Sequence, residues 1–222
     1  MHIVISDTHI GDCRVDANLN SLLHLIEDTA APDSHLILNG DIFDLVVQPT
    51  PDNRHGEFIT AARKHGRVTY IGGNHDWPVT GLSGMLEPTV AFRKEWAEVI
   101  GGRKFHFLHG HQIDKVAKLL PRISRVFIRL NHWLIKHFRF DYQKIYRDSR
   151  LGKWNLRRLE DRLARQVSPW ADVVVAGHTH EPGVHMVDGR AYVNTGDWAD
   201  SKHRACLLIN DDGTYEFRLL GQ

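Results

Sequence analysis

His2-Ile3-Val4-Ile5-Ser6-Asp7-Thr8-His9 is an apolar run that stops at two potential metal ligands. The same shape recurs along the chain. His35-Leu36-Ile37-Leu38 runs into Asn39-Gly40-Asp41, and Val68-Thr69-Tyr70-Ile71 runs into Gly72-Gly73-Asn74-His75-Asp76. Val173-Val174-Val175-Ala176 runs into Gly177-His178-Thr179-His180. Short apolar runs bounded by turn residues read as buried strands. Between the first three lie two segments with helical spacing, 15–30 (Leu19, Leu22, Leu23 and Ile26 on one face) and 55–65. Strand, helix, strand, helix, strand predicts an α/β layered fold with parallel pairing. In such sheets the ligand crevice lies beyond the carboxyl ends of the strands. The polar clusters fall at those ends.

Outward from this frame, 88–100 and 104–108 read as two strands around Gly101-Gly102, a hairpin turn signal. The second ends at His109-Gly110-His111. Helices are predicted over 115–138 and 153–167, then two hairpins turning at Asp188-Gly189 and Asp212-Gly213. With no repeat, low-complexity tract or Pro/Ser linker, the 222 residues are expected to form one domain, with a helical insertion over 112–170.

The composition, 42% hydrophobic and 25% charged, is that of an ordinary globular protein. Cys13 and Cys206 alone make no disulfide framework, which points to a reducing cytoplasm. The opening apolar run is too short for a signal-peptide core. No run approaches the roughly 18 residues of a membrane span. The net charge of +1 conceals an asymmetry: seven of the 28 Lys and Arg lie between 115 and 139 with no acid among them. The remainder carries 21 basic against 27 acidic residues.

The strand-end clusters carry the chemistry. Asp7-x-His9 and His178-x-His180 share a spacing that, in extended chain, projects both side chains to one side. Gly40-Asp41 and Gly73-Asn74 add oxygen donors, each behind a glycine that permits close backbone approach. His109 adds a nitrogen. Imidazole, carboxylate and amide oxygen together suit Mn, Fe, Zn or Co better than Ca or Mg. Seven donors exceed the needs of one catalytic ion, which keeps open positions. Two ions sharing one carboxylate account for them. Such a pair, about 3.5–4 Å apart, clamps a phosphoryl group for in-line displacement. Singly, each motif has a bland reading as a turn, cap or solvated loop; their joint occurrence at successive strand ends does not. His24, His35, His55, His65 and His137 have no such setting and read as surface or packing residues.

The five clusters together resemble the calcineurin-like metallophosphoesterases, whose pattern is Asp-x-His, Gly-Asp-x-x-Asp, Gly-Asn-His-Asp/Glu, a His, and Gly-His-x-His. Here it reads Asp7-Thr8-His9, Gly40-Asp41-Ile42-Phe43-Asp44, Gly73-Asn74-His75-Asp76, His109-Gly110-His111 and Gly177-His178-Thr179-His180. The resemblance implies a four-layer αββα sandwich of two packed sheets flanked by helices. It implies one metal on Asp7, His9, Asp41 and His180 and another on Asp41, Asn74, His109 and His178, with a bridging hydroxide attacking phosphorus. It makes His75 the catalytic histidine, with Asp44 or Asp76 as its orienting partner.

Within that family the chain is most similar to the UDP-2,3-diacylglucosamine pyrophosphohydrolases of lipid A synthesis. Three features carry this: the helical insertion, Gly177-His178-Thr179-His180-Glu181-Pro182, and the segment Tyr192-Val193-Asn194-Thr195-Gly196-Asp197-Trp198. The resemblance implies a nucleotide-linked, acylated substrate and two divalent ions, manganese before the others. The chain departs from those enzymes in having His75 where they have Arg, and His111 where they usually have Asp.

Residues 115–139 interleave basic and apolar residues at helical spacing, with Pro121 at a first turn or kink. A basic amphipathic helix suits an anionic lipid head and its membrane. On that reading Arg122, Arg125 and Arg129 bind substrate and the segment touches the membrane peripherally. The alternatives are a helix that only packs on the body, or a nucleic-acid groove, for which no recognisable module is present. Two other functions stay open: a phosphodiesterase of soluble nucleotides, favoured by His75, and a metal-bound scaffold without turnover, disfavoured by it.

Overall fold

A computed structural model describes residues 1–76, 90–114 and 121–221, apart from the side chains of 121–124. Among these residues, eleven strands form two sheets. The first, in the order β11-β10-β1-β2-β3-β4, contains β1 (His2–Ile5), β2 (His35–Asn39), β3 (Arg67–Ile71), β4 (Val90–Arg93), β10 (Ala205–Ile209) and β11 (Tyr215–Leu219). The second, in the order β5-β6-β7-β9-β8, contains β5 (Glu95–Ile100), β6 (Arg103–Leu108), β7 (Val173–Ala176), β8 (Gly183–Val187) and β9 (Arg190–Asn194). Strands β1 to β4 pair in parallel, as do β6, β7 and β9.

The two-residue period of the strands builds the layers. Val4, Ile37 and Ile71 meet Phe105, Phe107, Val173 and Val175 between the sheets. Their neighbours Ile3, Ile5, Leu36, Leu38 and Tyr70 point the other way, onto α1 (Leu19–Asp28) and α2 (Asn53–Ala62). On the second sheet Leu108, Val174 and Ala176 face Leu163 and Ala164 of a long helix. The result is the α/β sandwich of two sheets between helices that the sequence predicts.

Three elements differ from the sequence reading. The span 88–100 is not one strand: among its described residues, β4 closes the first sheet and β5 opens the second, so the chain changes sheets at Lys94. The helix expected over 15–30 begins only at Leu19, because backbone turns from Asp12 through Asn18 come first. Among the described residues, the insertion holds three α-helices where two were expected. These are α3 (Pro121–Phe138), α4 (Tyr142–Asp148) and α5 (Arg150–Gln166); residues 115–120 of the expected helix lie outside the described residues. Helix α4 starts where the Asp141 side chain accepts from Lys144 N (3.0 Å), and α5 where Ser149 Oγ accepts from Gly152 N (3.0 Å). Both are side-chain N-caps.

Besides the apolar packing of α5 on the second sheet, the insertion is tied to the body by polar contacts. Arg129 Nε donates to Val46 O, Arg14 pairs with Asp141, and Lys144 and Arg147 pair with Asp200. Its outer apolar side chains stay in solvent, among them Val126 (64% exposed), Phe127 (52%) and Trp133 (49%).

Candidate metal centre

The ends of β1, β2, β3, β6 and β7 converge, and local backbone geometry aims their side chains inward. Asp7, His9, Asp41, His178 and His180 all have positive φ, between 45° and 69°. The left-handed region costs a non-glycine residue about 1–3 kcal/mol, and such strain persists only where the surroundings enforce it. Here they do. Asp7 N donates to Gly40 O (2.9 Å), His9 N to Asp41 O (3.0 Å) and Trp198 N to Asp7 O (3.0 Å). A Cβ at Gly73 would overlap Asp41 Oδ1, and one at Gly177 would overlap Asp7 Oδ2. Both glycines make room for a carboxylate.

The donor atoms form overlapping groups. Asp7, His9 and His180 offer atoms within 4.8 Å of one another, as do Asp41, His109 and His178. Asp41 also groups with His9 and His75, so it reaches both halves. Asp7 Oδ1 lies 3.2 Å from His180 Nε2, and His9 Nε2 lies 3.4 Å from His180 Nε2. His109 Nε2 is 3.1 Å from Asp41 Oδ2, yet is buried without a hydrogen bond. Asn74 Oδ1 is likewise buried without a partner. Buried polar atoms are rarely left unsatisfied. Lone pairs that face one another without a hydrogen bond have the arrangement of co-ligands.

The electrostatics agree. Burial alone would depress His109 and His180, but neighbouring carboxylates outweigh it. Asp41 and Asp7 raise His109 to about 9, and Asp197 and Asp7 raise His180 to about 10. The site therefore has a strong negative field that calls for cations. A divalent ion meets that need and displaces the protons. The seven side chains fit two such ions by donor type and by number.

Around the ligands sits a ring of residues that hold them. Asp197 Oδ2 accepts from His180 Nδ1 (2.9 Å), which leaves Nε2 turned toward Asp7 and His9. Glu160, on α5, accepts from Thr179 Oγ1 (2.6 Å), between His178 and His180. Burial pushes Glu160 up to about 7. Asp114 Oδ2 lies 3.1 Å from His178 Nε2. Sequence reading did not single out Glu160 or Asp114, and it quoted Asp197 only within a longer segment. Each is placed by a loop or helix far from its partner in sequence.

Of the two partners considered for His75, the structure selects Asp44. Its Oδ2 is 3.0 Å from His75 Nδ1. Burial opposes a charged imidazole, but Asp44 and Asp41 push His75 up to about 9. Asp76 is used elsewhere. Its carboxylate accepts from Asp41 N, Phe43 N, Gly73 N and Tyr70 Oη, which makes it the anchor of the Asp41 loop. Burial, with Asp41 nearby, raises Asp76 to about 6.

A cleft of about 520 Å³ opens over the cluster, with His9, Asp41, Asn74, His75, His178 and His180 at its floor. The insertion supplies its far wall, including Phe127, Ile128, Tyr142, Tyr146 and Leu156. The cations that line it are Arg14, Lys144 and Arg147. Arg125 and Arg129 do not line it: Arg129 is spent on the Val46 carbonyl. The Arg122 side chain lies outside the described residues.

The model of the calcineurin-like phosphoesterase superfamily domain matches residues 1–211. The UDP-2,3-diacylglucosamine hydrolase of Tolumonas auensis is 23% identical over 202 residues, 83% of this chain and 82% of that protein. An archaeal phosphodiesterase superposes with a TM-score of 0.51 at 17% identity over 99% of both chains. A protein of unknown function from Aquifex aeolicus gives 0.51 at 13% identity, over 92% of this chain and 93% of its own. At those identities the structural likeness shows the fold alone. The match over 211 of 222 residues, on a sheet sandwich with these ligands at its strand ends, places the chain in the calcineurin-like phosphoesterase superfamily.

Proposed function

We propose that the protein hydrolyses a pyrophosphate or phosphodiester bond in a nucleotide-linked, acylated substrate of the UDP-2,3-diacylglucosamine type. Asp7, His9, Asp41 and His180 hold one divalent ion, and Asp41, Asn74, His109 and His178 hold the other, manganese being the preferred metal. Such a pair supplies the charge that acidifies a water and neutralises phosphoryl oxygens. His75, held by Asp44, keeps a proton at the floor of the cleft and delivers it to the departing oxygen. Arg14, Lys144 and Arg147, rather than Arg125 and Arg129, are the cations that meet the rest of the phosphate chain.

The observation that carries the acylated substrate is the cleft wall. Phe127, Ile128, Tyr142, Tyr146 and Leu156 line the same cavity as the ligands, and the apolar surface continues outward over Val126, Leu130 and Trp133. Contiguous exposed apolar surface marks a binding face for lipid, membrane or protein. No helix among the described residues is long and apolar enough to cross a membrane; on this reading the insertion touches one at its surface. The match to the curated hydrolase over most of both chains supports the same substrate class.

A second reading has its own support. A histidine paired with Asp44 and able to protonate a leaving group suits an alkoxide more than UMP, which leaves readily as an anion. That favours a phosphodiesterase of soluble nucleotides. The deciding experiment compares kcat/KM for matched acylated and deacylated UDP-sugars with Mn²⁺. A gain of orders of magnitude from the acyl chains is expected, since each buried CH₂ contributes about 0.8 kcal/mol. Equal rates would favour the soluble-nucleotide reading.

A further inference from the structure

The ends of β1 and β2 opposite the cleft carry a second, separate group of potential ligands. His2 and His35 are cross-strand neighbours, with ring centroids 5.1 Å apart, and Glu98 reaches them from β5 of the other sheet. Their donor atoms all lie within 4.8 Å of one another. Five residues of extended chain separate His2 from Asp7, so the two sites are roughly 16 Å apart.

We propose that His2, His35 and Glu98 form a mononuclear site for a transition-metal ion of the zinc class, which clips the two sheets together and competes with Arg67 for the same seat. The distances suit it. Zinc bonds of about 2.0–2.1 Å in tetrahedral geometry place ligand atoms about 3.4 Å apart. His2 Nε2 lies 3.4 Å from Glu98 Oε2, and His35 Nδ1 lies 3.8 Å from the same oxygen. The tautomer also suits it. Arginine can only donate, so His35 Nδ1, 2.6 Å from Arg67 Nη2, presents a lone pair. His35 Nε2–H is then left to donate to Thr69 Oγ1 at 2.9 Å. This is how a ligating imidazole is normally oriented, with its far nitrogen held by an outer partner. Both rings are buried, and burial lowers both pKa values, His35 to about 3, so they are neutral donors near pH 7.

Arg67 marks the seat of the cation. Its Nη2 lies 2.9 Å and 3.1 Å from the Glu98 oxygens as well as against His35. Its side chain is half exposed and can swing into solvent, whereas a divalent ion would stay where the guanidinium now sits. His2 Nδ1 is buried without a hydrogen bond, so that nitrogen has no protein partner among the described residues.

The test is zinc bound per chain, by equilibrium dialysis at buffered free Zn²⁺ and elemental analysis, in the whole protein and three variants. Glu98→Gln should bind one zinc fewer than the wild type. Thr69→Val should weaken that one equivalent by about 10–100-fold. Arg67→Met should tighten it. All three should keep phosphoesterase activity, because none of these residues lines the cleft. The comparison is a difference between variants, so it holds whatever number of ions the catalytic cleft takes. Equal zinc content in Glu98→Gln and the wild type would overturn the proposal. So would unchanged zinc affinity in Arg67→Met.

Discussion

The strand-end rim and the insertion invert each other's chemistry. At the rim, Asp7, Asp41 and His109 are buried, charged or polar, and locked by backbone donors or neighbouring carboxylates. On the insertion, Phe127, Trp133, Phe138 and Trp154 are apolar and face water. Each arrangement is costly in isolation, the first for desolvation and strain, the second for hydration. Both costs fall when a ligand arrives: cations at the rim, an apolar partner at the insertion. The difference separates chemistry from recognition. On the proposed function, the rim would fix which bond is attacked and the insertion which molecule is held there.

Changes at the rim should therefore damage turnover whatever the substrate. His75→Ala is expected to lower kcat by about 10²–10⁴-fold with metal content unchanged. Steady-state kinetics beside elemental analysis checks both halves, and loss of metal would make His75 a ligand. The deficit should grow with leaving-group pKa across a series of aryl phosphodiesters.

Asp197→Asn sits one step out. It keeps the size of the side chain but weakens the hold on His180 Nδ1, so metal affinity should fall by about 10–100-fold. Activity should return at high Mn²⁺. A titration of activity against free Mn²⁺ reads this directly, and an unchanged midpoint would separate Asp197 from the centre.

The smallest effect concerns the joint between the two regions. Glu160 belongs to the insertion but holds Thr179 of the rim, and its carboxyl is raised to about 7 by burial. A carboxyl whose folded pKa exceeds its unfolded one favours the fold in its protonated form. Its contribution is complete below the unfolded pKa, near 4.5, and is lost as pH rises through about 7. Glu160→Gln should abolish that loss, worth at most about 3 kcal/mol, and so gain stability over the wild type at pH 8 relative to pH 5. Denaturant unfolding at the two pH values tests it. Parallel profiles would mean that Glu160 ionises in the fold without penalty.

The rim could be read in the sequence because its ligands stand directly after apolar runs, and a run that ends in Asp, Asn or His leaves the side chain at a sheet edge. The layers followed from the same runs, since strands buried on both faces read as continuous apolar stretches. What the sequence hid is set by tertiary approach. Asp76 and Asp44 looked equivalent beside His75, and only the packing of the Asp41 loop assigns them. The cations of the cleft were sought in the basic run 115–139, but among the described residues they come from Arg14 and from Lys144 and Arg147 of the short helix α4, which lies just beyond that run. The break between β4 and β5 at Lys94 leaves no mark, because both pieces are strand-like and differ only in the sheet they join. His35, read as a packing residue, is part of a cluster only because Glu98 crosses from the other sheet.

The central claim is that the rim holds two metal ions joined through Asp41. The direct measurement is manganese per chain, by elemental analysis after reconstitution and desalting, beside activity on a generic aryl phosphodiester. It is best made in Glu98→Gln protein, so that the remote cluster adds nothing to the count. Two ions per chain are expected, with activity rising as the second binds, and Asp41→Ala should lose both ions and reduce turnover to background. Full activity with a single ion, or an Asp41→Ala protein that still turns over at the parent rate, would contradict the account.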